Sequence, residues 1–275
     1  MRTCYLIPWY DCNLNCPHCD IHLRKNSENY DKFLGRLNNL KTTPEDIVVF
    51  FGGEPLLYKD KFTEIVNTGK VTSVSTNMLL WSEDYALLFK EHKMSIATSY
   101  NPQRFPNDRV LFKWADNMRK ATNVGIDVIV LITLTPDLFN LPVEKVGEIT
   151  LHMYTSGVRG FLFEPYIGEQ EYHKEADEWL IKFHEYYKSK KYPVKSLILD
   201  KIKDWNCACS HTYTLEPSGR LRKGCPQYGG TNIPDECLMC NKNDICRPCV
   251  LQKTCSYPKK FAEWVKANYG TCGTY

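Results

Sequence analysis

Three cysteines on one short segment carry the first chemical signal. The segment reads Asp11-Cys12-Asn13-Leu14-Asn15-Cys16-Pro17-His18-Cys19-Asp20, spaced C-x-x-x-C-x-x-C just after an apolar, strand-like run. Three thiolates on one loop can take three irons of a 4Fe–4S cube. The fourth iron then stays open to a substrate or cofactor, as the open position of a catalytic zinc does. The same thiols with His18 or His22 can instead close a structural zinc site. A reactive thiol is a third use.

A second field of cysteines lies far along the chain, at positions 207, 209, 225, 237, 240, 246, 249, 255 and 272, and the 187 residues between Cys19 and Cys207 hold none. A secreted scaffold with 13 cysteines is usually much shorter than 275 residues. The opening residues run straight into a strand-like segment with no long apolar export region. The longest apolar stretch, around 128–134, is too short to cross a bilayer, so no membrane association is expected. A reducing, cytoplasmic compartment and two kinds of metal centre follow. Zinc knuckles at Cys237/Cys240 and Cys246/Cys249 are the alternative for the tail, in a module that contacts nucleic acid. A net charge of +3 does not argue for nucleic acid by itself. A chain 43% hydrophobic and 24% charged is globular, which excludes disorder and collagen-like order.

The elements that must position these residues alternate. Runs rich in Val, Ile and Phe at 3–7, 46–51, 71–75, 94–98, 126–132 and 158–163 read as buried parallel strands. Helices are predicted between and after them, over 20–40, 58–68, 82–92, 108–122, 143–156 and 171–190. Ser82 with Glu83-Asp84 suits a helix start, and Pro142 suits a first turn. Six strand–helix units at a period of roughly 30 residues are βαβ arithmetic. They are too few for a full eight-unit barrel, so an α/β fold is expected: a partial (β/α)6 TIM-like barrel, or a doubly wound sheet. In either, loops at the strand C-termini form the active face, which is where the cysteine triad falls. The barrel is expected over 1–196 and a small cysteine-rich, cluster-binding domain over 197–275. From Leu197 onward apolar periodicity is lost, so the tail is expected to need metal staples. Its charge is +5 against −2 before residue 201, which offsets cluster thiolates or presents a docking surface to an acidic partner.

The triad resembles the signature C-x-x-x-C-x-Φ-C of the radical S-adenosylmethionine (SAM) superfamily, with His18 at the Φ position that packs near the adenine. After the second strand, Phe50-Phe51-Gly52-Gly53-Glu54-Pro55 resembles the family's GGEP motif, which binds the methionine amino group. Glycines let backbone approach a ligand, and Glu54 can pair with an ammonium. The third strand ends Ser75-Thr76-Asn77-Met78, similar to the family's Ser-Thr-Asn-Gly with Met78 in place of glycine. After the fourth, the resemblance implies Ser99 as the ribose contact, although the usual Ser-Leu-Asp-Gly is absent. Glu164, ending the sixth strand, is a candidate to touch substrate or SAM, or only to cap the strand. Tyr100, Tyr166 and Tyr172 are candidates for lining a site or for packing, and Cys4 reads as a core residue. The resemblance implies one SAM-binding 4Fe–4S cluster on Cys12, Cys16 and Cys19. It also implies SAM chelated at the open iron, reductive cleavage to a 5′-deoxyadenosyl radical, and hydrogen abstraction from an unactivated carbon.

The tail resembles the SPASM extension of that superfamily. Tyr213-Thr214-Leu215-Glu216-Pro217-Ser218-Gly219 matches its β-hairpin, and C209-x9-G219-x5-C225 with C237-x2-C240-x5-C246-x2-C249 matches its core, apart from two spacings that differ by one residue. The resemblance implies two auxiliary 4Fe–4S clusters. Cys207, Cys209, Cys225 and Cys249 would hold the first; Cys237, Cys240, Cys246 and Cys255 would hold the second, with Cys272 competing for the last place. A single-cluster variant is also open. Implied partners are an electron donor of flavodoxin or ferredoxin type and a substrate that is a peptide, or else a small molecule or nucleotide. Net oxidation and redox-neutral rearrangement both remain open. With the signature beginning at Cys12, no leader-binding domain is expected before the barrel, so a separate recognition protein would serve a peptide substrate.

Overall fold

The computed structural model describes residues 2–16, 19, 28–105, 107–165, 173–191, 195–196, 212–223, 231–232 and 259–269. Within these the strands are β1 Thr3–Leu6, β2 Ile47–Phe50, β3 Ser73–Ser75, β4 Ser95–Tyr100, β5 Val128–Leu134, β6 Gly160–Pro165, β7 Lys195–Ser196, β8 Thr212–Leu215, β9 Leu221–Lys223 and β10 Thr231–Asn232. The helices are α1 Tyr30–Asn39, α2 Lys59–Val66, α3 Glu83–Glu91, α4 Asp108–Asn123, the single turn α5 Pro136–Phe139, α6 Val143–Thr155, α7 His173–Lys190 and α8 Lys259–Tyr269. The chain packs into two compact units, one built around β1–β3 and one around β5–β7.

In the first unit β1 pairs in parallel with β2, β2 with β3, and β3 with the first half of β4. The other edge of β1 takes β8, also parallel, with Thr3 opposite Thr212 and Leu6 opposite Leu215. The hairpin expected in the tail is therefore present as β8–β9, and it extends the sheet that carries the triad. Gly219 turns it: its φ is +75°, and a Cβ there would sit 2.7 Å from the Lys32 side chain and 2.9 Å from Lys32 backbone. Buried Glu216 and half-buried Arg222 pair across the hairpin at 2.5 Å. The hairpin's Pro217 carbonyl accepts from Asn29 N at 3.0 Å. Asn29 in turn caps α1, its Oδ1 accepting from Lys32 N at 2.9 Å. Among the described residues α1 starts there, later than the expected 20–40; residues 20–27 lie outside the described part.

In the second unit β5 pairs in parallel with β6 and β6 with β7. Along β5 fully buried residues alternate with half-buried ones, so one face packs more tightly than a continuous apolar run suggests. Over this sheet lies an aromatic core. Phe163 meets Phe183 at 5.0 Å, and Trp179 stacks on Phe183 at 5.4 Å. Phe161 meets Tyr187 at 5.6 Å. Tyr100, stacked at 5.7 Å on Phe105 and 6.0 Å from Trp114, is packing in this structure.

The tail corrects one expectation. Apolar periodicity does not vanish after Leu197, because α8 buries Phe261 and Val265, one turn apart, completely. Two apolar residues in a lysine-rich stretch are too faint a pattern to signal a helix alone. The partner that orders it is α7, whose Asp177 carboxylate accepts from Phe261 N at 2.5 Å in the first turn of α8.

Candidate active site

The cysteine loop leaves β1 at its C-terminal end and is clamped at once by the loop after β2. Gly53 N donates to Trp9 O (3.2 Å) and Glu54 N to Asp11 O (2.8 Å). Trp9 Nε1 returns a bond to Glu54 O at 2.9 Å. This contact explains the glycine pair. A Cβ on Gly52, whose φ is +133°, would lie 2.7 Å from Trp9 O, and one on Gly53 would lie 1.9 Å from Asp11 O. What comes close to these glycines in this structure is the cysteine loop itself. No side chain fits between the two backbones.

Glu54 is likewise committed. It is 1% exposed. Oε1 accepts from Leu56 N (3.0 Å) and Thr76 Oγ1 (2.6 Å), and Oε2 from Asn77 N (2.8 Å). The carboxylate joins the loop after β2 to the loop after β3, and such charge-assisted bonds make a buried carboxylate tolerable. Pro55 begins a short 3-10 turn directly after it. Asn77 continues the chain of bonds: Nδ2 donates to Asn13 Oδ1 at 2.7 Å, and Oδ1 accepts from Leu79 N at 2.9 Å. Met78 has φ +63° and is fully buried. Its N–H donates to Thr76 Oγ1 at 3.0 Å, which helps hold a conformation side chains rarely adopt.

Cys16 is buried, and Cys12 and Cys19 are half-buried. Cys19 N donates to Cys16 O at 3.0 Å. Cys19 also packs against the buried pair Ile7 and Tyr10. Leu14 N donates to Cys12 Sγ at 3.4 Å. Burial pushes the Cys12 thiol above its ordinary value; the Leu14 N–H opposes this, while Glu54, Cys16 and Cys19 add to the rise. The donor chemistry fits an iron–sulfur cluster: three thiols on one loop in mutual electrostatic reach, so that a bound cation would reverse the cost of ionising them. Among the described residues no group of three His, Cys, Asp or Glu side chains is drawn together closely enough to hold a single metal ion. Cys4, by contrast, is a core thiol, 4% exposed and pushed up to about 12 by burial.

Of the other expected site residues, Ser99 is half-buried in the second half of β4, its carbonyl accepting from Arg104 Nη1 at 3.0 Å. Glu164 is half-buried in β6, opposite Thr133. His18 and Cys207, Cys209, Cys225, Cys237, Cys240, Cys246, Cys249, Cys255 and Cys272 lie outside the described residues, as do Tyr166 and Tyr172. Sequence reading missed the three pins on the loop: Asp11, Asn13 and Tyr58. Tyr58 donates to Asp11 Oδ2 at 2.6 Å. The polar types of Asp11 and Asn13 beside Cys12 were the only available signal, and they look like ordinary loop residues.

The fold is α/β, with a parallel sheet consistent with a partial TIM-like barrel. The radical SAM superfamily model matches residues 6–146, and the chain belongs to that family. It is therefore an enzyme, and SAM with one 4Fe–4S cluster are its family's cofactors. A protein of Archaeoglobus fulgidus described as "Uncharacterized protein" is 32% identical over 114 residues, which are 39% of this chain and 28% of that relative. Among solved structures, anSMEcpe with bound AdoMet and Cp18Cys peptide is 15% identical with a TM-score of 0.67, over 92% of this chain and 87% of that one. Streptococcus suis SuiB bound to precursor peptide SuiA is 13% identical with a TM-score of 0.62, over 99% of this chain and 67% of that one. At these identities the likeness is one of fold. Among the described residues no helix is long and apolar enough to cross a membrane.

Proposed function

We propose that this radical SAM enzyme modifies a peptide or protein side chain, using Cys12, Cys16 and Cys19 to hold the cluster that binds SAM. The observation that supports the reading is the clamped loop: the segment that bears the three cysteines is tied through Trp9, Asp11 and Asn13 to the loops after β2 and β3. When bound, the cluster and SAM supply a 5′-deoxyadenosyl radical that removes a hydrogen atom from an unactivated substrate carbon. The chain's own task is placement and exclusion of water. The loops carrying Gly52, Gly53, Glu54 and Pro55 and carrying Asn77 form the wall of the SAM site. Glu54 acts there chiefly by holding both loops in register, and the backbone around it meets the amino group. His18, Ser99 and Glu164 are assigned to the adenine, the ribose and the substrate side. The peptide class is supported by the two similar structures that hold peptides.

The tail is proposed as a SPASM-type extension with two auxiliary 4Fe–4S clusters, on Cys207, Cys209, Cys225 and Cys249 and on Cys237, Cys240, Cys246 and Cys255. The β8–β9 hairpin at its expected place supports this. Electrons would come from a flavodoxin- or ferredoxin-type donor, and a reducing cytoplasm suits the many thiols. The test is metal content after anaerobic reconstitution, with release of 5′-deoxyadenosine from SAM. Three clusters require about 12 irons per chain. About eight would mean one auxiliary cluster. Zinc without iron, or no 5′-deoxyadenosine, would overturn the reading. Return of label from 5′-deoxyadenosine to product would make the reaction a rearrangement instead of an oxidation.

A further inference from the structure

Asn77 is held on one side by the buried framework and reaches the cysteine loop on the other. It is 5% exposed, its N–H is fixed on Glu54 Oε2 (2.8 Å), and its Oδ1 is fixed by Leu79 N (2.9 Å). Only its Nδ2 points outward, to Asn13 Oδ1 at 2.7 Å, across 64 residues of sequence. Asn13 is exposed, yet it sits between Cys12 and Leu14, and Leu14 N donates to Cys12 Sγ at 3.4 Å. An N–H on a cluster sulfur stabilises the extra negative charge of the reduced state and raises the potential.

We propose that Asn77 is a positioning residue that sets the potential of the cluster on this loop: through Asn13 it holds the 12–14 backbone so that the Leu14 N–H stays on Cys12 Sγ. The proposal rests on the cluster reading above and deepens it, because the buried Glu54–Asn77 framework then tunes the cluster as well as shaping the SAM wall. Asn13 Oδ1 acts in the opposite sense from 4.0 Å. It is farther away than the N–H and belongs to an exposed, solvent-screened side chain, so the N–H dominates. The Tyr58–Asp11 bond pins the same loop one residue before Cys12 and serves as the internal comparison.

The experiment is an EPR-monitored redox titration of the reconstituted full chain with dithionite. Asn77→Leu keeps the bulk and removes the donor. Its midpoint should move to a more negative potential, so that at the wild-type midpoint the reduced fraction falls several-fold. Asn13→Ala, at an exposed position that does not endanger folding, should shift it the same way, and the double variant should add nothing further. Tyr58→Phe should leave the midpoint in place. In the metal-free chain, the Leu14 amide should exchange with deuterium faster in both asparagine variants. An unchanged midpoint in both variants at full iron content overturns the proposal, as does an equal shift from Tyr58→Phe. A wild-type chain with no reducible 4Fe–4S signal overturns the cluster reading instead; unchanged Leu14 exchange in the metal-free variants counts against this proposal alone.

Discussion

Around the cysteine loop, the first unit buries polar groups and makes them point. Around His184, the second unit buries rings and lets area do the holding. In the first, Glu54, Thr76 and Asn77 are each 5% exposed or less, and Glu54 accepts directed bonds from the other two at 2.6 and 2.8 Å. In the second, His184 is 1% exposed, its Nδ1 2.8 Å from Leu180 O and its Nε2 3.0 Å from Ser196 Oγ. Its ring lies 5.0 Å from Phe261 and 5.3 Å from Phe183. Apolar packing would stabilise either place, but it cannot orient three thiols to within fractions of an ångström. Satisfied polar networks can, because their geometry is specific and leaving one member unpaired is costly.

The sharpest way to break the contrast is at the triad. Cys16→Ala should abolish release of 5′-deoxyadenosine and remove about four irons, while leaving those of the proposed tail clusters. Full retained cleavage would dissociate the loop from the chemistry. Gly53→Ala comes next, since its Cβ would overlap Asp11 O at 1.9 Å. We expect a loss of roughly 2–4 kcal/mol, or failure to fold, by denaturant titration. A fully stable variant would show that the two loops are not pressed together.

In the aromatic unit the sensitive variable is pH. Burial lowers the His184 pKa to about 4, with the contact to Leu180 O acting against it. The unfolded chain binds this proton near the ordinary value of about 6.5, so stability from His184 is full above that pH and falls as pH drops toward 4. The loss should approach about 3 kcal/mol, on the scale of about 1.4 kcal/mol per unit. His184→Gln should flatten that part of the stability–pH curve, and an unchanged slope would remove His184 as its source. Asp46 behaves oppositely. Its bonds from Arg2, with Arg2 Nε 2.9 Å and Thr43 N 2.8 Å away, hold its carboxyl below the usual carboxylate range. That stability is present above about pH 4 and is lost as pH falls through the lowered value. Asp46→Asn should therefore destabilise at neutral pH, and the difference should shrink in acid. The smallest effect belongs to the exposed Lys59–Asp84 pair at 2.5 Å, where Lys59→Ala should change stability by less than about 0.5 kcal/mol.

The helices expected at 58–68, 82–92, 108–122 and 143–156 stand within a residue or two at Lys59–Val66, Glu83–Glu91, Asp108–Asn123 and Val143–Thr155. Local pattern decided them, because an amphipathic stretch has few other stable options; Ser82 stands at the start of α3 without a side-chain capping bond. Spacing alone likewise placed the three thiols on one loop after β1, since those contacts are local in sequence. Which groups the glycines and Glu54 contact within the fold was not legible. Gly52 and Gly53 answer to Trp9 and Asp11, and Glu54 to Thr76 and Asn77, all more than 20 residues away. Nor could the tail reveal that β8 would pair with β1 or that α8 would fold against α7. Short motifs determined the chemistry available to this protein, because thiols and their spacing carry it directly. Only the tertiary structure decided which backbone closes on which, because that choice depends on distant groups meeting at distances of about 3 Å.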